Sequence, residues 1–454
     1  MKIHLTTIPG SVVAPRGFLA SGVFCDIKRL GTGKGSEKGQ KRDLALIVST
    51  APATCAGMFT TNQVCAAPVK LCIQRVKRGR AQAIVANSGN ANACTGARGF
   101  NDALEMARCA AEAVSAALKL AKPLDAEAVL VGSTGRIGVP LPMQNVRRGI
   151  LAAAEALGHT PEHAAQAAEA IMTSDTYPKQ IAVEFDLGNK PVRIGGIAKG
   201  AGMIHPAMSR TGARPAALAP GASAFHATML CFITTDAAIA PGPLQTALEQ
   251  AVANSFNRIT VDGDTSTNDT VLVLANGLAG NRPISKRDAA FEKFQAALSH
   301  VCAELAKMIV RDGEGVHRVV TVRVTGARTL ADADVAARAV ANSPLVKTSW
   351  HGGDPNWGRV MAALGYSAAT VVEEKVDIGY SAPGSKKVLW CVKRGRPTQV
   401  SFANLCAAVA QKQFELHINL NLGKAGAVIY ATDLTEQYVE FNKGDLSAPG
   451  TPGG

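Results

Sequence analysis

Aromatic side chains make up only 5% of this sequence and charged ones only 18%, and no uninterrupted apolar run is long enough to cross a membrane. The missing run excludes a helical membrane protein. The scarcity of aromatics weighs against a nucleic-acid-binding protein despite a net charge of +13, because the basic residues are scattered rather than gathered into one stripe. One local concentration, from Lys28 to Arg42, is so rich in Gly and Lys that it reads as a solvated loop. Phosphate-binding loops are absent: GxxxxGK[ST] does not occur, and the glycines of KGAGM and NSGNANACTG are in the wrong order for GxGxxG. The ten cysteines form no CxxC and no Cys/His cluster of zinc spacing, so reduced core thiols are expected. The first residues, MKIHLTTIPGSVVAPRG, lack a secretory apolar region and a typical Arg/Ser-rich transit pattern. A cytoplasmic location is the expectation, with a mitochondrial matrix address as the alternative.

What remains is a chain of 454 residues, 47% apolar, long enough for two or more domains. Buried strands are expected at 43–50, 81–88, 127–133 and 271–277, and a hairpin at 180–187 with 191–198. Helices are expected over 101–120, in two pieces over 143–172, and over 243–257, 286–311, 330–342 and 401–410. Alternating segments at 318–326, 370–379, 387–393, 415–421 and 426–431 read as further strands, and Trp350 to Arg359 as a loop containing His351. Strands and helices in mixed order with several hairpins predict a layered α/β or α+β fold with mixed sheets, not a doubly wound nucleotide fold.

The chemistry is sought first at His226-Ala227-Thr228-Met229-Leu230-Cys231-Phe232-Ile233-Thr234-Thr235-Asp236, where a threonine heads an apolar, β-prone run. A threonine that opens a core strand is ordinary. It becomes a nucleophile if the peptide bond before it is cut, because the freed α-amine, with a pKa of roughly 7.7–8.0, lies beside its own hydroxyl and can act as base. Thr134-Gly135 follows a strand, where a hydroxyl and an N–H can converge on an oxyanion; a plain turn uses the same residues. Lys199 among glycines suits a carboxylate, or is a solvated surface lysine. Glu314 between two glycines faces a site or ends a helix. Asp262, Asp264 and Asp269 lack the spacing and terminal glutamate of a calcium loop.

Taken together, VAPRGFLASGVFCDIK, LIVSTAPATCAGMFTTN, NSGNANACTG, GSTGRIG, MTSDTYPK, GGIAKGAGMIHPAM, ATMLCFITTDA, NSFNRITVDGDTSTNDT, RDGEG, GDPNWGR and YVEFN resemble the ornithine acetyltransferase (glutamate N-acetyltransferase) family over essentially the whole chain and in the family's order. The resemblance implies an arginine-biosynthesis acyltransferase with the family's self-processing N-terminal-threonine fold. It would move an acetyl group from N-alpha-acetylornithine to glutamate. It implies a self-cut between Ala227 and Thr228, giving an α chain region 1–227 and a β chain region 228–454 that stay together as α2β2. Thr228 would be the nucleophile, Thr134 and Gly135 the oxyanion hole, and Thr173, Lys199, Thr228, Glu314, Asn442 and Ser447 the substrate-binding positions. Amide-to-amide exchange is close to energy-neutral, so no cofactor and no metal is expected. Use of acetyl-CoA as a second acetyl donor is left open.

The chain departs from the family at Ser209–His226, an insert of 18 residues read as an exposed loop immediately upstream of the expected cut. Self-cleavage needs alignment at that bond, so the insert bears on it directly. Two other readings stand beside the transferase: an N-terminal-nucleophile aminopeptidase, and an unprocessed binding protein without enzymatic activity.

Overall fold

The computed structural model describes residues 3–28, 41–213 and 228–443. Ala227, Ser447, most of the 209–226 insert and most of the Lys/Gly-rich stretch lie outside the described residues. Sixteen strands form two sheets among the described residues. The first contains β1 (Thr6–Thr7), β2 (Phe18–Val23), β3 (Leu44–Thr60), β4 (Arg80–Asn90), β5 (Val129–Arg136), β6 (Lys179–Leu187), β7 (Lys190–Lys199), β8 (Met208–Ser209), β9 (Leu230–Thr235) and β10 (Thr270–Ala275). Their order is β1-β6-β7-β9-β10-β3-β4-β5, with β2 and β8 also on β3. β9 runs parallel to β10, and β4 parallel to β5; the other pairs are antiparallel.

β9 and β10 form the centre because neither has a polar face. Every residue of LCFITT and TVLVLA is buried, as expected of strands covered on both sides. The period of two sends Cys231, Ile233, Val271 and Val273 into one core, under α5 (Pro241–Ala253) and α6 (Ala289–Arg311). Leu230, Phe232, Leu272 and Leu274 enter a second core with Phe59, Ile84 and Leu130. A further cluster packs α2 (Gly96–Ala117) and α3 (Met143–Glu155) over β3, β4 and β5. The helix α1 (Ala67–Val76) opens on Pro68, and α4 (Pro161–Ala170) opens on its own Pro161.

The second sheet holds β11 (Val319–Ala327), β12 (Asp377–Ser381), β13 (Leu389–Lys393), β14 (Arg396–Pro397), β15 (Gln413–Asn419) and β16 (Ala425–Thr432) in the order β14-β13-β12-β15-β11-β16. Helices α7 (Leu330–Asn342), α8 (Pro344–Gly352), α9 (Trp357–Gly365) and α10 (Phe402–Val409) contribute to its core. A last helix, α11 (Glu436–Phe441), follows β16. No described helix is long and apolar enough to cross a membrane.

The mixed, layered α/β architecture is the one expected. The expected cut at 227/228 does not separate the sheets, because β9 on one side of it pairs with β7 on the other; the last strand of the first sheet ends at Ala275, and the second sheet begins at Val319 after α6. Local differences have local causes. Residues 350–359 are not a loop: Ser343 caps α8 by accepting from Val346 N–H, Gly353 ends it in the left-handed region, and the Asn356 side chain caps α9 through Arg359 N–H. The segment at 370–379 becomes a strand only from Asp377, after a short 3-10 turn. β3 runs on through 17 residues past an irregularity between Val48 and Ala53, so one strand serves β2 and β4 at its start and β10 and β8 at its end. Ser209, the first residue of the expected loop, is paired with Phe59 in β8.

Candidate active site

Parallel pairing of β9 and β10 decides where Thr228 sits. Leu230 is opposite Thr270, so the two residues before β9 lie beside the 266–269 segment that leads into β10. The join is closed by Met229 N–H donating to Asp269 Oδ1 at 2.8 Å and Thr270 N–H donating to the Met229 carbonyl at 3.1 Å. Thr228 is buried, and its Oγ1 accepts a hydrogen bond from Ser266 Oγ at 2.9 Å. Ser266 Oγ in turn accepts from Asn268 N–H at 2.7 Å. The serine hydrogen is thereby aimed at the threonine oxygen.

The same segment reaches the end of β5. Asn268 Nδ2 donates to the carbonyls of Ala91 at 2.7 Å and Ser133 at 2.9 Å, fixing the residue before Thr134. Thr134 Oγ1 is fully buried and has no hydrogen-bond partner among the described residues. A buried hydroxyl without a partner is costly, and such groups concentrate where a ligand supplies the missing bond. Gly135 has φ +131°, and a Cβ there would lie 2.3 Å from the Gly89 carbonyl carbon and 2.5 Å from Asn90 N. The β4–β5 register shifts at this point, so only glycine fits the approach.

Lys199 is not the solvated surface lysine of the alternative reading; it ends β7 and is 2% exposed. Its Nζ donates to the Thr228 carbonyl at 3.1 Å and lies 4.0 Å from Asp175 Oδ2. Burial lowers its pKa against the pull of Asp175. Asp175 Oδ1 takes Lys179 Nζ at 2.6 Å and Gly200 N–H at 2.7 Å, and Lys179 is also paired with Asp312. Burial pushes the Asp175 carboxyl up, but Lys199, Lys179 and the Gly200 N–H outweigh it and hold the pKa at about 2. Thr173 lies in the same turn, its N–H donating to Asp175 Oδ2 at 3.0 Å, while the Thr176 hydroxyl is committed to Asp312.

Glu314 faces the Lys199-Gly200-Ala201-Gly202 turn: its N–H donates to the Ala201 carbonyl at 2.9 Å, and a Cβ on Gly202 would meet its carboxyl carbon at 2.3 Å. Asn442, at the end of α11, donates through Nδ2 to Glu314 Oε2 at 3.0 Å. Glu314 lies ahead of β11 and Asn442 beyond β16, and the pairing of these two neighbouring strands brings them together. The Asp262 carboxylate is engaged within the protein. Its carboxylate receives N–H bonds from Met203, Ile204 and Asp264, together with the Tyr438 hydroxyl.

Ser266, Asn268, Asp269, Asp175 and Lys179 were not singled out by the sequence as site residues. Three of them stand within VDGDTSTNDT, where four hydroxyls and amides in a row, Thr265 to Asn268, give no sign of which one faces Thr228.

Two consequences are measurable. Replacing Ser266 by Ala removes the donor to the Thr228 hydroxyl oxygen and is expected to lower steady-state turnover by about 10²-fold, with Ser266→Thr recovering part of the loss; turnover unchanged in S266A would separate Ser266 from the chemistry. Burial raises the Asp269 pKa to about 8, against bonds from Met229 and Ser266 that lower it. The unfolded chain releases this proton near pH ~4 and the folded one near 8, so over that window the folded state holds more protons. Asp269 therefore contributes stability that declines as pH rises from about 4 to about 8. Urea unfolding across this range should show that decline, and Asp269→Asn should remove it.

The family model described as ArgJ family matches residues 24–444. The arginine biosynthesis bifunctional protein ArgJ of Symbiobacterium thermophilum is 48% identical over 435 residues, 96% of this chain and 98% of that protein. Its counterpart in Caldanaerobacter subterraneus subsp. tengcongensis is 42% identical over 436 residues, with 96% and 98% covered. Among solved structures, the Mycobacterium tuberculosis ornithine acetyltransferase complexed with ornithine is 37% identical with a TM-score of 0.40, covering 45% of this chain and 100% of that one. Agreement at this identity over nearly the full length places the chain in the ArgJ family.

Proposed function

We propose that this protein transfers an acetyl group from N-alpha-acetylornithine to glutamate, releasing ornithine and N-acetylglutamate in arginine biosynthesis. One observation carries the reading: in a chain of the ArgJ family, the Thr228 hydroxyl is held by Ser266 while the Thr134 hydroxyl, buried near the same segment, lacks a partner.

In this proposal a cut between Ala227 and Thr228 frees the Thr228 α-amine. The amine takes the hydroxyl proton as Oγ1 attacks the acetyl carbonyl, and the negative charge on the carbonyl oxygen is met by Thr134 O–H and Gly135 N–H. Collapse breaks the C–N bond, and the amine returns the proton to the departing ornithine nitrogen. Glutamate's amine then attacks the acetyl-threonine ester and the steps reverse, which makes the kinetics ping-pong. No cofactor takes part.

Glu314 and Asn442 pair with the cationic end of ornithine, and Lys199 and Thr173 face a substrate carboxylate. Ser447 completes this group in the proposal. The processed halves remain associated as α2β2 and work in the cytoplasm. Acetyl-CoA as a second acetyl donor belongs to the same proposal, since an acyl-threonine can be loaded from either an amide or a thioester. The positive net charge favours approach of anionic glutamate.

The reading is tested with Thr228→Ala and Thr134→Val. Intact mass of the parent is expected to give two fragments divided before Thr228, and T228A a single chain without transferase activity. T134V should keep its fold and lose about 10²–10³-fold in kcat. Transfer at the parent rate by T228A would overturn the nucleophile, and T134V turning over at the parent rate would overturn the oxyanion role.

A further inference from the structure

We propose that His317, His351 and Asp433 form a binding site for one Zn²⁺ ion on the second sheet, among residues that the transfer chemistry does not use. The three residues are distant in sequence and carry no zinc spacing. β11 begins at Val319 and β16 ends at Thr432, and these two residues face each other in the antiparallel register. His317 and Asp433, just outside that pair, are therefore neighbours. His351 comes in on the last turn of α8, where Arg318 donates to its carbonyl.

One donor atom from each of the three residues lies within 4.8 Å of the others. His351 Nδ1 is 3.4 Å from Asp433 Oδ2, and the two imidazole centroids are 5.2 Å apart. Tetrahedral zinc with bonds of about 2.0–2.2 Å needs donors roughly 3.3–3.5 Å apart. The His351–Asp433 pair already has that separation. His317 is exposed, so its ring can close the remaining gap by side-chain rotation. Two imidazoles and a carboxylate suit zinc better than magnesium or calcium, which take oxygen.

The surrounding groups orient these donors as metal sites require. Asp433 Oδ1 is occupied by the backbone N–H groups of His317 at 3.0 Å and Arg318 at 2.9 Å, which leaves Oδ2 turned to His351. Each histidine has its Nε2 against an acceptor on the first turn of α11: Glu436 Oε2 at 3.0 Å for His351, and Gln437 Oε1 at 3.2 Å for His317. In the tautomer in which both Nε2 atoms donate to these acceptors, Nδ1 of each ring carries the lone pair that a metal takes. An ordinary ion pair needs one carboxylate and one imidazole. Here a second imidazole and two further acceptors are arranged around the same point.

A bound ion would tie the starts of β11 and α11 and the end of α8 to one centre. α11 leads into Asn442, which reaches Glu314, three residues before His317. Metal occupancy would then stiffen the Glu314–Asn442 pair. That consequence rests on the substrate role proposed for the pair; the binding of zinc does not.

The experiment uses untagged full-length protein stripped with EDTA and titrated with Zn²⁺ by calorimetry, and with Co²⁺ by visible absorption. A single saturable equivalent is expected, with a cobalt spectrum of nitrogen and oxygen ligation lacking a thiolate charge-transfer band. His317→Ala, at an exposed position, should weaken binding at least about 10-fold, and Glu436→Gln about 10-fold through His351. Cys94→Ser, which removes the exposed thiol among the described residues, should bind like the parent. Absence of saturable binding, undiminished affinity in H317A, or a thiolate band would each overturn the site. These outcomes are independent of transferase activity, which is measured separately as the KM for acetylornithine with and without zinc.

Discussion

The parallel pairing of β9 with β10 is the constraint on which the rest of the site depends. It sets Thr228 and Met229 alongside the 266–269 segment, and the hydrogen bonds between them connect the Thr228 hydroxyl to the end of β5 through Ser266 and Asn268. Both strands are buried on both faces, so a slip of one residue would exchange their two hydrophobic cores. The hydroxyl's position is consequently enforced by packing far from it. The core strands specify the register, and the register specifies the chemistry.

Buried charge is the second feature. Lys199, Lys179, Asp175 and Asp312 are all inside, and they are tolerable there only because each is paired and hydrogen-bonded. The network holds the Lys199 ammonium beside the Thr228 carbonyl without leaving a charge uncompensated. Asp269 takes the opposite course and keeps its proton, since burial outweighs the bonds that favour its anion. Two carboxyl groups of similar intrinsic acidity are thereby driven far apart: Asp175 has Lys179 in direct contact and Lys199 close by, whereas for Asp269 burial outweighs the pull of Lys199.

The second sheet contributes through its edge. Thr432 Oγ1 donates to the Val261 carbonyl at 3.1 Å, Tyr438 reaches Asp262, and Asn442 reaches Glu314, so β16 and α11 are laced onto the loops around the Lys199 turn. Lys347, buried beside Thr432, anchors α8 to the same seam. The cluster of His317, His351 and Asp433 lies along this seam, which is why an ion there would act on the strap that carries Asn442.

Most of the elements were legible in the chain: the hairpin near 180–198, the helix at 330–342 and the strand that follows Thr228 announce themselves by periodicity, by proline and by glycine. Trp350–Arg359 was misread as a loop because its caps, Ser343 and Asn356, work through side-chain geometry that composition does not display. The order of the motif blocks carried the family, since that is a matter of residue type along one dimension, and it pointed to Thr228, Thr134 and Gly135 as the positions to look at. The sequence by itself therefore determined the family, the strand that follows Thr228 and the turn that must be glycine. Only the tertiary structure decided that Ser266 rather than a neighbouring hydroxyl meets Thr228, that Lys199 is buried, and that three residues with no common motif share one corner. Those facts depend on strand register and on desolvation, which come into being when distant segments pack together and have no counterpart in an extended chain.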